Sequence, residues 1–291
     1  MHKGHASRTA ELMALFRALE SSRPAAERLF DDRFARSFLT WPLSIVGRLL
    51  IVPGVEPVVS RIIDQRVPGA RSSAIARTKF IDDAIEDGIG AQLEQLVILG
   101  GGFDSRAYRL PSLQRVPVFE VDHPDTQAAK RAVLERMSVF PKNVRFVPID
   151  FNEEKLESVM AAAGYRETSR TYFLWEGVTN YLTEAAVGAT LRWCARASQG
   201  SRLLFTYVHR DVLAKPGAFI GTEKLFASLE KFGEKWTFGI EPSNLRDFLA
   251  ERGLSLEADL GATEYRELCY KEAARQMRGY EFYRIATAAV H

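Results

Sequence analysis

Three consecutive glycines, Gly100, Gly101 and Gly102, stand in the run VILGGGFDSRAYRL, between an apolar stretch and a helical one. Without Cβ atoms the backbone there can approach a ligand at the carboxyl end of a sheet, where open α/β folds bind their ligands. A glycine turn alone would serve a ligand-free strand-to-helix connection equally well. About 20 residues further on, FEVDHP offers Glu120 and Asp122. An ionised acid at that distance suits two hydrogen bonds from ribose hydroxyls, and Asp122 is the expected ribose ligand. Asp150 and Phe151 close the run VRFVPIDF. Such a pair suits an adenine amino group and its ring, or else a helix cap and a core position. Glu176, in TYFLWEGV, is placed to meet a cationic ammonium. Ser105 stands where the third glycine of G-x-G-x-x-G would fall, and Asp104 puts negative charge where a pyrophosphate would lie. These residues therefore point to a nucleoside without a diphosphate.

The elements that must position these residues change character near residue 90. Before it, Thr9 to Glu20, Ala25 to Phe38 and Ile75 to Ile89 carry apolar residues at helical spacing. Trp41 to Gly69, rich in Pro, Gly, Val and Ile, suggests short helices broken by turns. From Gln95 onward, short apolar runs alternate with helical stretches: LVILGGG, VPVFEVDHP, VRFVPIDF, TYFLWEG and SRLLFTYV. That rhythm predicts a doubly wound α/β sheet, mostly parallel, with helices on both faces. Helices are expected over Asp125 to Met137, Glu153 to Ala163, Glu184 to Ala197 and Ser243 to Arg252, with a looser insertion from Asp211 to Trp236. LSLEADL and FYRIATAAV then close the chain as an antiparallel pair, with no clear crossover helix between them. The expected organisation is an N-terminal helical cap over residues 1–90 on an α/β domain of 91–291, the two forming one structural unit.

Composition narrows the class. The chain has 291 residues, 46% hydrophobic and 26% charged, ample for a folded core. Thirty-nine basic residues against 37 acidic ones give +2, far from the charge concentration that phosphate-backbone binding needs, so no nucleic-acid partner is expected. Cys194 and Cys269 are too few for a disulfide framework or a zinc site; they read as packing residues in a reducing cytoplasm, and no metal is expected. The N-terminal stretch lacks the apolar run of a signal peptide. Pro42 to Val59 is interrupted by Arg48, Pro53, Glu56 and Pro57, so no membrane crossing and no membrane partner are expected.

ARTKFIDD, GGGFDSRAYRL, FEVDHP, PIDF and WEGVTNYLT occur in this order and spacing, followed by FGIEPSNLRDFL. The set resembles the leucine carboxyl methyltransferase family, in particular its bacterial, polyketide O-methyltransferase-like branch, from about Thr9 to the C-terminus. The resemblance implies a seven-stranded class I methyltransferase sheet and S-adenosyl-L-methionine as cofactor. By position it implies that Arg77 holds the methionine carboxylate, that Gly100 lies along the same moiety, and that Asp122 holds the ribose. It implies that Asp150 and Phe151 contact the adenine, although a leucine is common at the latter position, and that Glu176 lies near the amino-acid end. The early helix with Arg17 is expected near the cofactor.

The implied reaction is O-methylation of a small, partly apolar metabolite. A carboxylate acceptor is ionised at neutral pH and needs no base, whereas a phenol or alcohol gains roughly a hundredfold from one. His209, just after the fifth strand in TYVHRD, is the candidate base, against a plain surface-loop reading; Tyr181 is the second candidate in the acceptor pocket. His123 is expected to border the cofactor, and Arg210 to pair with a substrate carboxylate or simply to be exposed. A nicotinamide-dependent oxidoreductase and a non-catalytic cofactor-binding protein are the alternatives. The oligomeric state is left open.

Overall fold

In the computed structural model, which describes residues 8–150 and 154–291, the predicted alternation becomes one seven-stranded sheet. The strands are β1 (Gln95–Leu99), β2 (Val118–Asp122), β3 (Val144–Pro148), β4 (Thr171–Trp175), β5 (Arg202–Val208), β6 (Leu254–Leu260) and β7 (Tyr283–Val290). Their spatial order is β3-β2-β1-β4-β5-β7-β6. The first five run parallel, and β7 is antiparallel to both β5 and β6. The sheet is doubly wound and mostly parallel, as the sequence predicts.

Both faces of the central strands are apolar because both are covered. Val97, Phe119, Phe173 and Phe205 pack on one side with Val187 and Leu191 of α8 (Glu184–Cys194) and Met160 of α7 (Leu156–Ala162). Leu96, Ile98, Leu174 and Leu204 pack on the other with Ile81 and Ile85 of α4 (Ala70–Gly90) and Tyr265 of α12 (Ala262–Tyr270). A third cluster joins α1 (Arg8–Ser21), α2 (Leu43–Leu49) and α3 (Val55–Arg66) through Leu15, Leu19, Phe34 and Phe38. The remaining helices are α5 (Arg106–Arg109), α6 (Pro124–Arg136), α9 (Asp211–Ala214), α10 (Thr222–Phe232) and α11 (Leu245–Ala250).

Two expectations are corrected. Ala25 to Phe38 is not a helix: only a 3-10 turn, Ala35–Phe38, forms. Its backbone N–H groups find side-chain acceptors instead of helical carbonyls. Leu29 N–H donates to Glu20 Oε1 at 2.6 Å, Asp32 N–H to Ser21 Oγ at 2.7 Å, and Phe34 N–H to Asp32 Oδ1 at 3.0 Å. Between β6 and β7 there is a helix after all, α12, followed by a 3-10 stretch, Lys271–Gln276. The Glu264 carboxylate accepts the Gly261 N–H and caps α12, whose inner face packs on α4. The helix returns the chain for the antiparallel closure.

Candidate functional site

The expected ligands gather at the carboxyl ends of β1, β2 and β4. Gly100 and Gly102 take φ values of +68° and +43°, which disfavour side chains. The N–H groups of Gly100 and Gly101 both donate to Val121 O, at 2.7 and 3.2 Å, so the turn is sewn to β2. A Cβ on Gly100 would stand 2.3 Å from Val178 Cγ2, which rules one out without a shift of the segment after β4.

Asp122 ends β2, its carboxylate held by two backbone donors, Gly102 N–H on Oδ2 and His123 N–H on Oδ1, the latter at 2.6 Å. Each oxygen retains a further acceptor direction, a geometry that suits two hydroxyls. Burial raises the Asp122 pKa, and these two donors and Lys130 only partly offset it. Glu120, on the same face two residues earlier, is committed elsewhere: Tyr108 Oη donates to it at 2.7 Å, and Lys130 Nζ lies 2.7 Å away. His123 caps α6, its Nδ1 accepting from Asp125 N–H at 3.2 Å. Ile149 N–H donates to Asp122 O at 3.0 Å, so Asp150 follows directly where β2 and β3 stop pairing. Asp150 N–H donates to Glu154 Oε2 at 2.9 Å. Phe151 lies outside the described residues.

Arg77 and Glu176 meet. The buried Arg77 of α4 donates through Nε to Glu176 Oε1 at 2.7 Å, lies 4.5 Å over the Tyr283 ring, and reaches Met13 Sδ of α1 at 3.4 Å. Glu176 Oε2 accepts from Arg106 Nη1 at 3.0 Å. Burial raises the Glu176 pKa, but the two guanidinium groups outweigh it and hold the acid below its ordinary value.

Sequence reasoning did not find the network behind this pair. Arg106 also pairs with Asp104 and, at 2.8 Å, with Asp82; Asp82 takes Arg109 at 2.6 Å; Arg109 Nε donates to Ser105 Oγ, which donates to Asp32; and Asp32 pairs with Arg17 at 2.8 Å. Arg17 further donates to Phe103 O at 2.6 Å. Arg17, Arg77, Arg106 and Arg109 thus face Asp32, Asp82, Asp104 and Glu176, four cations against four anions, joining α1, α4 and the glycine turn. Against its own burial, Arg106 holds Asp104 down to about 2. The available signal was the density of charge in FDSRAYR and FIDD, inside segments otherwise patterned as core.

The two candidate catalytic residues have separate hydrogen-bond partners but border one aromatic cluster. Tyr181 Oη donates to Glu234 Oε2 at 2.9 Å and packs edge-on against Trp236; burial, then Glu234, raises its pKa. His209 follows β5, its ring beside Phe219 at 5.3 Å, its Nδ1 accepting from Asp211 N–H at 3.1 Å and its Nε2 3.6 Å from Glu241 Oε1. His209, Asp211 and Glu241 offer ligand atoms within 4.8 Å of one another. The accepted Asp211 N–H places the neutral ring's proton on Nε2, which faces Glu241 and is then not a free metal ligand. Arg210 Nε reaches Gly239 O at 3.4 Å.

The sheet order and its reversed β7 define a class I methyltransferase fold. Solved structures from Thermobifida fusca, assigned as a methyltransferase, and Streptomyces avermitilis, a DUF574 family protein, share it. The first has a TM-score of 0.61 at 14% identity, covering 99% of this chain and 96% of that one. The second has 0.58 at 11%, covering 99% of each. The family model for leucine carboxyl methyltransferase matches residues 10–195, and the chain belongs to that family. A relative from Parafrankia sp., assigned by name to the S-adenosyl-L-methionine-dependent methyltransferases, is 32% identical over 264 residues, 89% of this chain and 81% of its own. One from Streptomyces coelicolor, assigned likewise, is 34% identical over 213 residues, 71% of each.

Proposed function

We propose that this chain transfers a methyl group from S-adenosyl-L-methionine to an oxygen of a small, partly apolar metabolite. The coarser part, a methyltransferase using that donor, follows from its family and relatives. The observation that carries the reading is the Arg77–Glu176 pair beside the glycine turn, one strand from Asp122. A cation and an anion side by side match the carboxylate and ammonium of an amino acid, and the doubly held Asp122 matches a ribose. Arg77 and Glu176 would hold the amino-acid end, Gly100, Gly101 and Gly102 would admit it closely, and Asp122 and Asp150 would take the nucleoside.

When bound, the sulfonium supplies an already activated methyl group, so alignment and exclusion of water are what remains for the protein. The buried aromatic cluster of Trp236, Phe282, Tyr283 and, at its edge, Tyr181 and Phe226 would back an apolar acceptor site. A carboxylate acceptor needs only positioning there. With a hydroxyl acceptor, Tyr181 through Glu234, or His209 once its Nδ1 exchanges the Asp211 N–H for the substrate hydroxyl, would move the proton, and Tyr181→Phe or His209→Asn should then lower kcat about a hundredfold.

The test is release of S-adenosylhomocysteine from S-adenosylmethionine across a panel of carboxylic acids, phenols, alcohols, amines and carbon acids, with calorimetric binding of S-adenosylhomocysteine and NADH in parallel. Binding of the former alone, with turnover on an oxygen acceptor, is the expected result. Binding of NADH alone would establish the oxidoreductase reading instead, and turnover confined to amines or carbon acids would sink oxygen transfer.

A further inference from the structure

The helices α2 and α3 are apolar on two sides. Leu43 and Val46 of α2, and Val55, Val59 and Ile63 of α3, turn inward and pack on the N-terminal core cluster. On the outer side Trp41, Ile45 and Leu49 follow at four-residue spacing, Ile51 occupies the turn, and Val58 and Ile62 repeat the spacing on α3. All six are exposed, Trp41 at 76% and Ile51 at 72%. A surface helix ordinarily has one apolar stripe and a polar outer face, so this second face has no role in packing the chain.

The charges beside it are mostly positive. Arg48, Arg61 and Arg66 are exposed, and none has an ion-pair partner among the described residues. The two acids of the same stretch are engaged: Glu56 accepts from Ser60 Oγ at 2.6 Å, and Asp64 pairs with Arg71 at 2.6 Å. A twofold contact with a second copy would bring these arginines together with only Glu56 and the Arg71-paired Asp64 to offset them. An occupant that is apolar inside and anionic at its boundary complements the face.

We propose that α2, α3 and the turn between them dock on an anionic lipid surface. The apolar side chains enter the acyl boundary, Trp41 sits at headgroup level, and the three arginines meet lipid phosphates. This is lying on a membrane, not crossing one: no helix among the described residues is long and apolar enough to span. It departs from the expectation of no membrane partner, which rested on the inability of Pro42 to Val59 to span. The inference is independent of the reaction proposed above.

The full chain itself supplies the reporter. Of its four tryptophans, Trp175, Trp193 and Trp236 are buried, so a change in emission on docking comes from Trp41. Phosphatidylglycerol–phosphatidylcholine vesicles should co-sediment the protein and shift its emission to the blue, whereas pure phosphatidylcholine should do so far more weakly. The shift should vanish in Trp41→Phe and recede with added salt. Ile45→Ser with Ile51→Ser should weaken co-sedimentation at least about tenfold, and Arg61→Gln about fivefold. These positions are exposed, and an unchanged circular dichroism melt checks that the variants fold. Absence of binding to the anionic vesicles at about 0.1 M salt would overturn the proposal. So would binding unaffected by these substitutions, or a wild-type dimer by light scattering that Ile51→Ser turns into a monomer.

Discussion

At the residue scale, Asp122 and Arg106 carry opposite kinds of consequence. Asp122 has its pKa raised by burial, yet it would have to be ionised to accept two hydroxyl donors in the proposed role. Affinity for S-adenosylhomocysteine should therefore be full above that raised pKa and fall about tenfold per pH unit below it. Asp122→Asn should flatten the profile and Asp122→Ala should remove binding; calorimetry from pH 4 to 8 checks both, and wild-type affinity in the alanine variant would remove Asp122 from the site. Arg106 touches Asp104, Asp82 and Glu176 while almost wholly buried. Arg106→Leu takes a cation from three carboxylates, leaving Asp82 with Arg109 and Glu176 with Arg77 but Asp104 without its main partner, and should cost about 3–5 kcal/mol in urea unfolding, far more than loss of an exposed pair. The place of Asp122 at the end of β2, beside the glycine turn, was legible from its spacing. Arg106 was not, because spacing on one chain says nothing of three acids arriving from elsewhere.

At the scale of elements, the strands were legible because each is a short apolar run buried on both faces, a pattern independent of the strand's neighbours. The false helix from Ala25 to Phe38 shows the converse: its apolar spacing is helical, but Glu20, Ser21 and Asp32 offer its amides other acceptors. The connection that brings His209 beside Glu241 depends on a backbone approach. His209 bridges Ile240, and a Cβ on Gly239 would lie 2.9 Å from Val208 O and 3.0 Å from Arg210 Cα. Gly239→Ala should destabilise the protein by about 1–3 kcal/mol and displace His209 from Glu241. A thermal melt measures the first, and the ring chemical shifts of His209 by NMR at fixed pH measure the second. Unchanged ring shifts would show that the bridge does not set that contact.

For the whole molecule, the charge network and the apolar clusters respond differently to acid. Asp104, Asp32 and Glu176 all lie below their ordinary values in the folded state. Groups depressed in this way contribute stability at pH values above their unfolded pKa, and that contribution is lost as the pH falls through the folded one. For Asp104 the window runs from its ordinary 3.8 down to about 2. Urea stability should therefore decline below pH 4, and the Arg106→Leu variant should show a shallower decline because its acids are no longer held down. Phe173→Ala, which opens the fully buried centre of the sheet, should cost about 3–5 kcal/mol with no pH dependence of its own.

The sequence by itself determined the sheet, its glycine turn, the acid at the end of β2 and the antiparallel closure. Each is encoded locally, in apolar periodicity or in residues whose backbone or acceptor chemistry has few substitutes. The strand end pointed to Glu176, and the family motifs to Arg77, as candidates for the site. Only the tertiary structure decided that those two charges pair, that Glu120 is consumed by Tyr108 and Lys130, and that α1 is tied by Arg17 to the carbonyl of Phe103. It also decided which apolar residues of α2 and α3 face the core and which face outward. The physical reason is the same in each case. Coulombic pairing and burial depend on what stands opposite in space, and residues brought together across 99 positions of chain, as Arg77 and Glu176 are, carry no local mark of it.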